Sequence, residues 1–139
     1  MVVMEEINEA FEYTQNINVY EEGIKSEYSL GGNEFEKIIC AWDELMEGAH
    51  PMPAFGVSLD KETRAALSRG LWVEFGFEKQ MEVGGMPFEK LLVEVCDSFY
   101  GFNIIRYNTD YGYEGRCYYI DLVGKNMSNF SAVLKNLDN

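Results

Sequence analysis

The fold is decided by the segment LWVEFGFE, residues 71–78, near the middle of the chain. Large apolar side chains stand at every second position there, and small or acidic residues occupy most of the positions between them. Alternation of this kind is typical of a strand with one buried face. An extension of the same strand to Val83 also fits the pattern.

Before this strand, the chain favours helices and a short β region. Apolar residues at helical spacing predict amphipathic helices over residues 4–15 and 33–47. A shift towards period two predicts one or two strands within residues 17–30. A brief helix is expected over residues 60–68.

Two local signals refine this reading. Asn33 followed by Glu36 predicts a capping box, in which each side chain bonds a free backbone N–H at the helix start. Pro51 and Pro53 predict that residues 49–56 form a loop, because proline lacks a backbone donor and restricts the residue before it.

After Gly84 and Gly85, the pattern is ambiguous. Apolar residues at i, i+3, i+4 and i+7 spacing predict a second core helix over residues 87–98. The apolar run 91–95 also fits a strand, and the sequence leaves both structures open.

The end of the chain points to paired strands. Residues 102–107 and 116–123 predict a hairpin around the polar loop 108–115, and a final helix begins at Asn126 or Ser128. The sequence therefore predicts one α+β domain over residues 1–139, with a mostly antiparallel sheet and helices packed mainly on one face.

Charge is distributed unevenly along the chain. Residues 1–60 hold thirteen Asp and Glu against two Lys, which leaves −11 of the net charge of −13. Such a surplus opposes direct binding to nucleic acid or anionic lipid, whose affinity depends on Lys and Arg. No apolar stretch approaches the roughly 20 residues of a membrane span, and the N-terminus lacks signal-peptide features. We expect a cytoplasmic protein with a basic partner.

The cysteines and the single histidine show no reactive pattern. Cys40, Cys96 and Cys117 form an odd set without a C-x-x-C pair, so we expect buried, reduced thiols. Together with His50 they match the ligand number of a zinc site, but their scattered positions favour small core residues. No nucleophile pattern surrounds His50, which we interpret as a loop residue without a catalytic role.

Other chemical motifs fail as well. The loop at Asp110 resembles part of a calcium-binding loop, but Gly112 and Tyr119 stand where oxygen ligands are required. Carboxylate pairs such as Glu74 and Glu78 are expected by chance in so acidic a chain. We therefore predict no catalytic residues, no metal and no cofactor.

Aromatic residues concentrate late in the chain, with eight between positions 99 and 119. Most of them suit strands. Tyr111 and Tyr113 lie in the predicted loop, where we expect exposed anchors for a partner.

In size and charge, the chain resembles small acidic inhibitors, such as bacterial immunity proteins that neutralise nucleases and phage proteins that block restriction or CRISPR enzymes. This resemblance implies a non-enzymatic module that mimics nucleic acid and masks a basic surface on a nucleic-acid-processing partner. The residues predicted to bind that partner are Glu5, Glu9, Glu12, Glu34, Asp43, Glu44, Glu47, Tyr111 and Tyr113.

Two other interpretations stay open. The acidic half of the chain is also what a merely solubilising surface would show. A regulatory or sensory domain, with a small ligand bound between sheet and helices, is the alternative function.

Overall fold

A computed structural model describes residues 2–54 and 56–137. Within these residues, the elements follow in the order α1 (Val2–Glu12), β1 (Thr14–Glu21), β2 (Ile24–Ser29), α2 (Asn33–Met46), β3 (His50–Pro53), α3 (Asp60–Ala66), β4 (Leu71–Val83), β5 (Met86–Val95), β6 (Gly101–Tyr107), β7 (Arg116–Asp121) and α4 (Ser128–Lys135). None of the helices in this described part combines the length and apolar character that a bilayer crossing requires.

The strands form one sheet in the order β2-β1-β4-β5-β6-β7-β3, and each pair of neighbours is antiparallel. The alternating segment that predicts a strand lies in β4, which does extend to Val83. The expectation of a single buried face is wrong, because α3 and the residues around it also cover the other face, where Trp72 and Glu74 are buried. The predicted α+β domain with a mostly antiparallel sheet is therefore confirmed, as are the late hairpin and the final helix.

Three helices cover one face of the sheet. Residues of α1, α2 and α4 share a single apolar core with alternate residues of the strands. On the opposite face, Ala66 of α3 and the following Leu67 pack against a smaller cluster that contains Trp72 and Leu92. The expectation that helices pack mainly on one face is thus confirmed.

Trp42 joins the two layers of the main core. Its ring centroid lies 4.9 Å from that of Phe11, 4.7 Å from Phe75, 5.3 Å from Phe102 and 5.4 Å from Phe130. These neighbours come from α1, β4, β6 and α4, so one side chain of α2 contacts four other elements. Tilted and edge-on aromatic pairs add about 0.5–1.5 kcal/mol each to the gain from burial.

The helix predicted over residues 87–98 is wrong, because β5 occupies Met86–Val95. This strand lies in the middle of the sheet, and its residues 91–93 are apolar and buried on both faces. Leu91 and Val93 belong to the main core, whereas Leu92 packs on the opposite face. Burial on both sides removes the alternation that identifies a half-buried strand, and the apolar spacing then imitates a helix.

The loop predicted over residues 49–56 is also wrong in part, because His50–Pro53 forms β3. This short strand pairs with β7 at one edge of the sheet. An edge strand tolerates proline wherever the missing N–H would face away from its only neighbour. Pro51 and Pro53 are therefore compatible with a strand at this position.

Three smaller expectations need correction. The predicted capping box does not form, because Gly32 is the N-cap residue of α2 and no side chain caps the helix. The first helix ends at Glu12 rather than at residue 15, since β1 begins at Thr14. The expectation of buried thiols holds for Cys117, but it is wrong for Cys40, which is exposed on α2, and Cys96 is only half-buried.

We expect Phe130→Ala to lower the free energy of unfolding by about 3–5 kcal/mol, because it removes a fully buried ring that contacts Trp42. Tyr13→Ala serves as the control, since Tyr13 is exposed and its loss should cost less than about 0.5 kcal/mol. Urea unfolding of both variants measures the difference. Similar losses in the two variants would contradict the central position of the aromatic cluster.

Candidate functional surface

A row of carboxylates lies on the side of α1 that faces away from the sheet. Ile7 and Phe11 are buried in the core. Positions three and four residues apart share one side of a helix, so positions 5, 9 and 12 fall together on the outer side. Glu5, Glu9 and Glu12 are all exposed there.

α2 presents further carboxylates in the same manner. Trp42 is buried, while its neighbours Asp43 and Glu44 are exposed, as is Glu47 just after the helix. Glu34, also predicted to bind a partner, is only half-exposed.

The two helices bring their carboxylates close together where they meet. The rings of Phe11 and Trp42 are in contact at 4.9 Å, which places the end of α1 beside the middle of α2. Partial burial, and then the nearby negative charge of Glu12, raises the pKa of Asp43. We call the set Glu5, Glu9, Glu12, Asp43, Glu44 and Glu47 the acidic helical surface.

Lys125, from the later half of the chain, brings one positive charge against this surface. The Lys125 ammonium donates to the backbone carbonyls of Glu44 at 3.1 Å and Glu47 at 2.8 Å, where α2 ends. This cation therefore compensates the negative end of the helix dipole, which the acidic side chains of the last turn would otherwise reinforce. Among the described residues, the ion pair that forms is Arg64 with Asp60, on α3 and on the other face of the sheet. No carboxylate of the acidic helical surface is ion-paired with a described residue.

A groove between α2 and α4 adjoins the acidic helical surface. It consists of two cavities of about 560 and 630 Å³, which share Ala41, Glu44 and Val133 among their lining residues. Glu36 lines one of them and Glu47 lines the other. Carboxylates thus border a concave strip that also offers small apolar side chains.

The two tyrosines predicted as anchors differ from each other. Tyr111 is 69% exposed, as expected, but Tyr113 is only 5% exposed, so its predicted exposure is wrong. Asp60 of α3 accepts a hydrogen bond from the backbone N–H of Tyr113 at 2.8 Å and holds the loop against α3. Both tyrosines therefore lie away from the acidic helical surface, and sequence alone could not show that the loop folds back in this way.

Sequence reasoning missed a buried polar cluster on the face that α3 covers. Glu74 is 1% exposed and accepts hydrogen bonds from Asn18 Nδ2 at 2.9 Å, from the Tyr20 hydroxyl at 3.3 Å and from the Tyr113 hydroxyl. One feature of the sequence indicates that Glu74 is buried. Glu74 lies on the same face of its strand as Trp72, and tryptophan is largely buried on average, so this face is expected to be covered.

The tyrosines of this cluster are held in the protonated form. Burial, followed by the charge of Glu74, raises the pKa of Tyr20 to about 12 and also raises that of Tyr113. Both hydroxyls therefore remain donors at neutral pH. The cluster satisfies a carboxylate that has almost no contact with solvent, and it joins β1, β4 and the β6–β7 loop.

Cavity space is larger outside the main core than within it. Between the sheet and α1, a void of about 10 Å³ is lined by residues that include Ile7, Ala10 and Cys117. On the opposite face, a cavity of about 510 Å³ is lined by residues that include Trp72 and Glu94. Burial raises the pKa of the Glu94 carboxyl.

No described group of three or more His, Cys, Asp or Glu side chains is arranged to hold a metal ion. Comparisons with protein families, curated proteins and solved structures find no match for this chain. No relative therefore carries a function over to it.

We expect Tyr113→Phe to destabilise the fold by about 1–3 kcal/mol at neutral pH, because it leaves the buried Glu74 with one donor fewer. Tyr111→Phe is the matched control, since it removes the same hydroxyl from an exposed site in the same loop. Chemical denaturation at pH 7 compares the two variants. Equal stabilities would contradict the role assigned to the cluster.

Alkaline pH should also destabilise the fold through Tyr20. Its pKa is about 12 in the folded protein against the ordinary value of 10.0, so the unfolded chain releases this proton first. The stabilisation is complete below about pH 10 and is lost as the pH rises towards about 12. Tyr20→Phe removes this titration, and its stability should fall less steeply over that interval than that of the wild type. Parallel stability curves for the two proteins would refute this assignment.

Proposed function

We propose that the protein is a non-enzymatic binding module that covers a basic surface on another protein, in the manner of an inhibitor that imitates nucleic acid. The observation that carries the proposal is the acidic helical surface, in which six exposed carboxylates lie on two helices that approach each other at Glu12 and Asp43, without ion pairs to described residues. The expected partner is a nuclease or another nucleic-acid-binding protein in the cytoplasm.

The spacing of the charges supports this proposal. Along α1, successive carboxylates are separated by three or four residues, or about 4.5–6 Å of helix axis. Phosphates follow one another at about 3.4 Å per strand along the axis of duplex DNA. A groove that binds a row of phosphates would thus meet a row of carboxylates of comparable density.

Electrostatic attraction raises the rate at which such a module associates with its partner, and the adjoining groove adds contact area. A surface of one sign steers an oppositely charged partner and raises the association rate at low ionic strength. Charge alone gives little specificity, however. The groove between α2 and α4 supplies Ala41 and Val133 for apolar contacts beside Glu44.

The alternative, a small ligand held between the sheet and its three helices, has less support. The void of about 10 Å³ beside α1 is far too small for a metabolite. The cavity near Trp72 lies on the opposite face and does not adjoin the acidic helical surface.

Charge reversal tests the proposal. The triple variant Glu9→Lys, Glu12→Lys and Asp43→Lys should lose its partner, because the altered residues lie where α1 and α2 meet. Wild type and variant are immobilised and exposed to native lysate at low salt. Bound proteins should be basic, should elute as salt rises or when duplex DNA is added, and should be absent from the variant.

The matched control reverses Glu62, Asp110 and Glu114, which are exposed and belong to α3 and the β6–β7 loop. Both triple variants change the net charge by the same amount. Equal capture by the two variants, or capture that DNA does not compete, would overturn the proposal. Circular dichroism verifies that each variant is folded.

A further inference from the structure

The two edges of the sheet differ in how they are protected. β3 has four residues and contains Pro51 and Pro53, which limit pairing with another strand. β2 has six residues, Ile24–Ser29, and contains no proline. A regular edge of this kind presents unpaired N–H and C=O groups to any strand of matching pattern.

The hairpin geometry determines which groups of β2 face outward. Glu22 and Gly23 both have positive φ, 51° and 85°, as in a two-residue type I′ turn. In such a hairpin the closing pair, Glu21 and Ile24, is hydrogen-bonded, and every second residue of β2 then bonds β1. Leu30 continues this series, since its N–H donates to the Gln15 carbonyl at 3.0 Å. The backbone groups of Lys25 and Glu27 therefore point to the open edge, whereas the Ser29 carbonyl on the same side already accepts a hydrogen bond from the Gly32 N–H at 3.1 Å.

We propose that β2 pairs antiparallel with β2 of a second copy of this chain, with Ser26 on the two-fold axis. Lys25 then lies opposite Glu27 of the second copy, and Glu27 opposite its Lys25. Both residues present outward-facing backbone groups, so the pairs join through hydrogen bonds as well as through opposite charges. The two seven-stranded sheets become continuous.

Charge selects this register over its neighbours. An axis at Lys25 or at Glu27 would place like charges directly opposite each other, which is destabilising. An axis between two residues would set outward-facing backbone groups against inward-facing ones. The two-fold axis at Ser26 is thus the arrangement near the centre of β2 that satisfies both the charges and the hydrogen bonds.

The apolar residues of β2 fit the same arrangement. Ile24 is 72% exposed in the single chain. With the axis at Ser26, it lies opposite Tyr28 of the second copy, on the face covered by the helices, where Tyr28 already packs at the margin of the core. Pairing therefore removes exposed apolar surface from water.

The dimer is expected to be weak and to respond to salt. A six-residue edge buries less than the roughly 1,200 Å² of a stable interface. The net charge of −13 on each copy opposes association, and salt screens this repulsion beyond about 10 Å. Moderate salt should therefore favour the dimer, whereas it should weaken the binding of a basic partner to the acidic helical surface.

Sedimentation equilibrium over a series of concentrations tests the pairing. Lys25→Glu or Glu27→Lys alone should shift the protein to the monomer, because each sets like charges opposite each other. The double variant Lys25→Glu with Glu27→Lys keeps the wild-type net charge and should restore the dimer. A double variant no more dimeric than the single ones would overturn the register.

Cross-linking provides an independent measurement. In a Cys40→Ser background, Ser26→Cys should form an intermolecular disulfide, since residues at the axis of a non-hydrogen-bonded pair lie about 4.5 Å apart. Ser29→Cys is the matched control and should remain unlinked, because it lies far from the axis. The dimer would be excluded if the wild type were monomeric at all concentrations and the two variants cross-linked equally. This outcome would not affect the proposal for the acidic helical surface, which is tested separately.

Discussion

The contact of Trp42 with four aromatic rings is the interaction on which the rest of the structure depends. It joins α2 to α1 and α4 and packs α2 on β4 and β6 of the sheet. Because the apolar sides of the helices pack in the core around this cluster, their polar sides face solvent. The acidic helical surface is thus a consequence of core packing.

A surface with so many carboxylates has a cost, since like charges repel across distances shorter than the Debye length. The structure offsets that cost without neutralising the side chains. Lys125 binds the carbonyls at the end of α2 and stabilises the helix, yet it leaves the carboxylates of Glu44 and Glu47 without a described ion partner. The fold is stabilised by apolar burial on one face of the sheet and by the Glu74 cluster on the other.

How far the sequence predicts this fold depends on how clearly each element repeats its apolar residues. The repeat is clear in β4, where every second residue from Leu71 to Phe77 is large and apolar although residues 71–76 are buried on both faces, and in α2, which shows an apolar stripe with Phe35, Ile38 and Trp42. The repeat is lost in β5, because residues 91–93 are apolar and buried on both faces, so its apolar residues also fit the spacing of a helix. β3 was not predictable either, since its prolines are allowed only by a position at the edge, which is a property of the assembled sheet.

The candidate site was likewise predictable only in part. The exposure of Glu5, Glu9 and Glu12 follows from helical periodicity alone, but the proximity of Glu12 to Asp43 depends on the contact between α1 and α2 at Phe11 and Trp42. Tyr113 and Glu74 lie 39 positions apart, and only the folded loop joins them. Local patterns therefore predict which side of an element faces water, whereas contacts between distant elements decide which exposed groups act together. A charge asymmetry along the chain becomes an acidic surface only when the core aligns the helices that carry it.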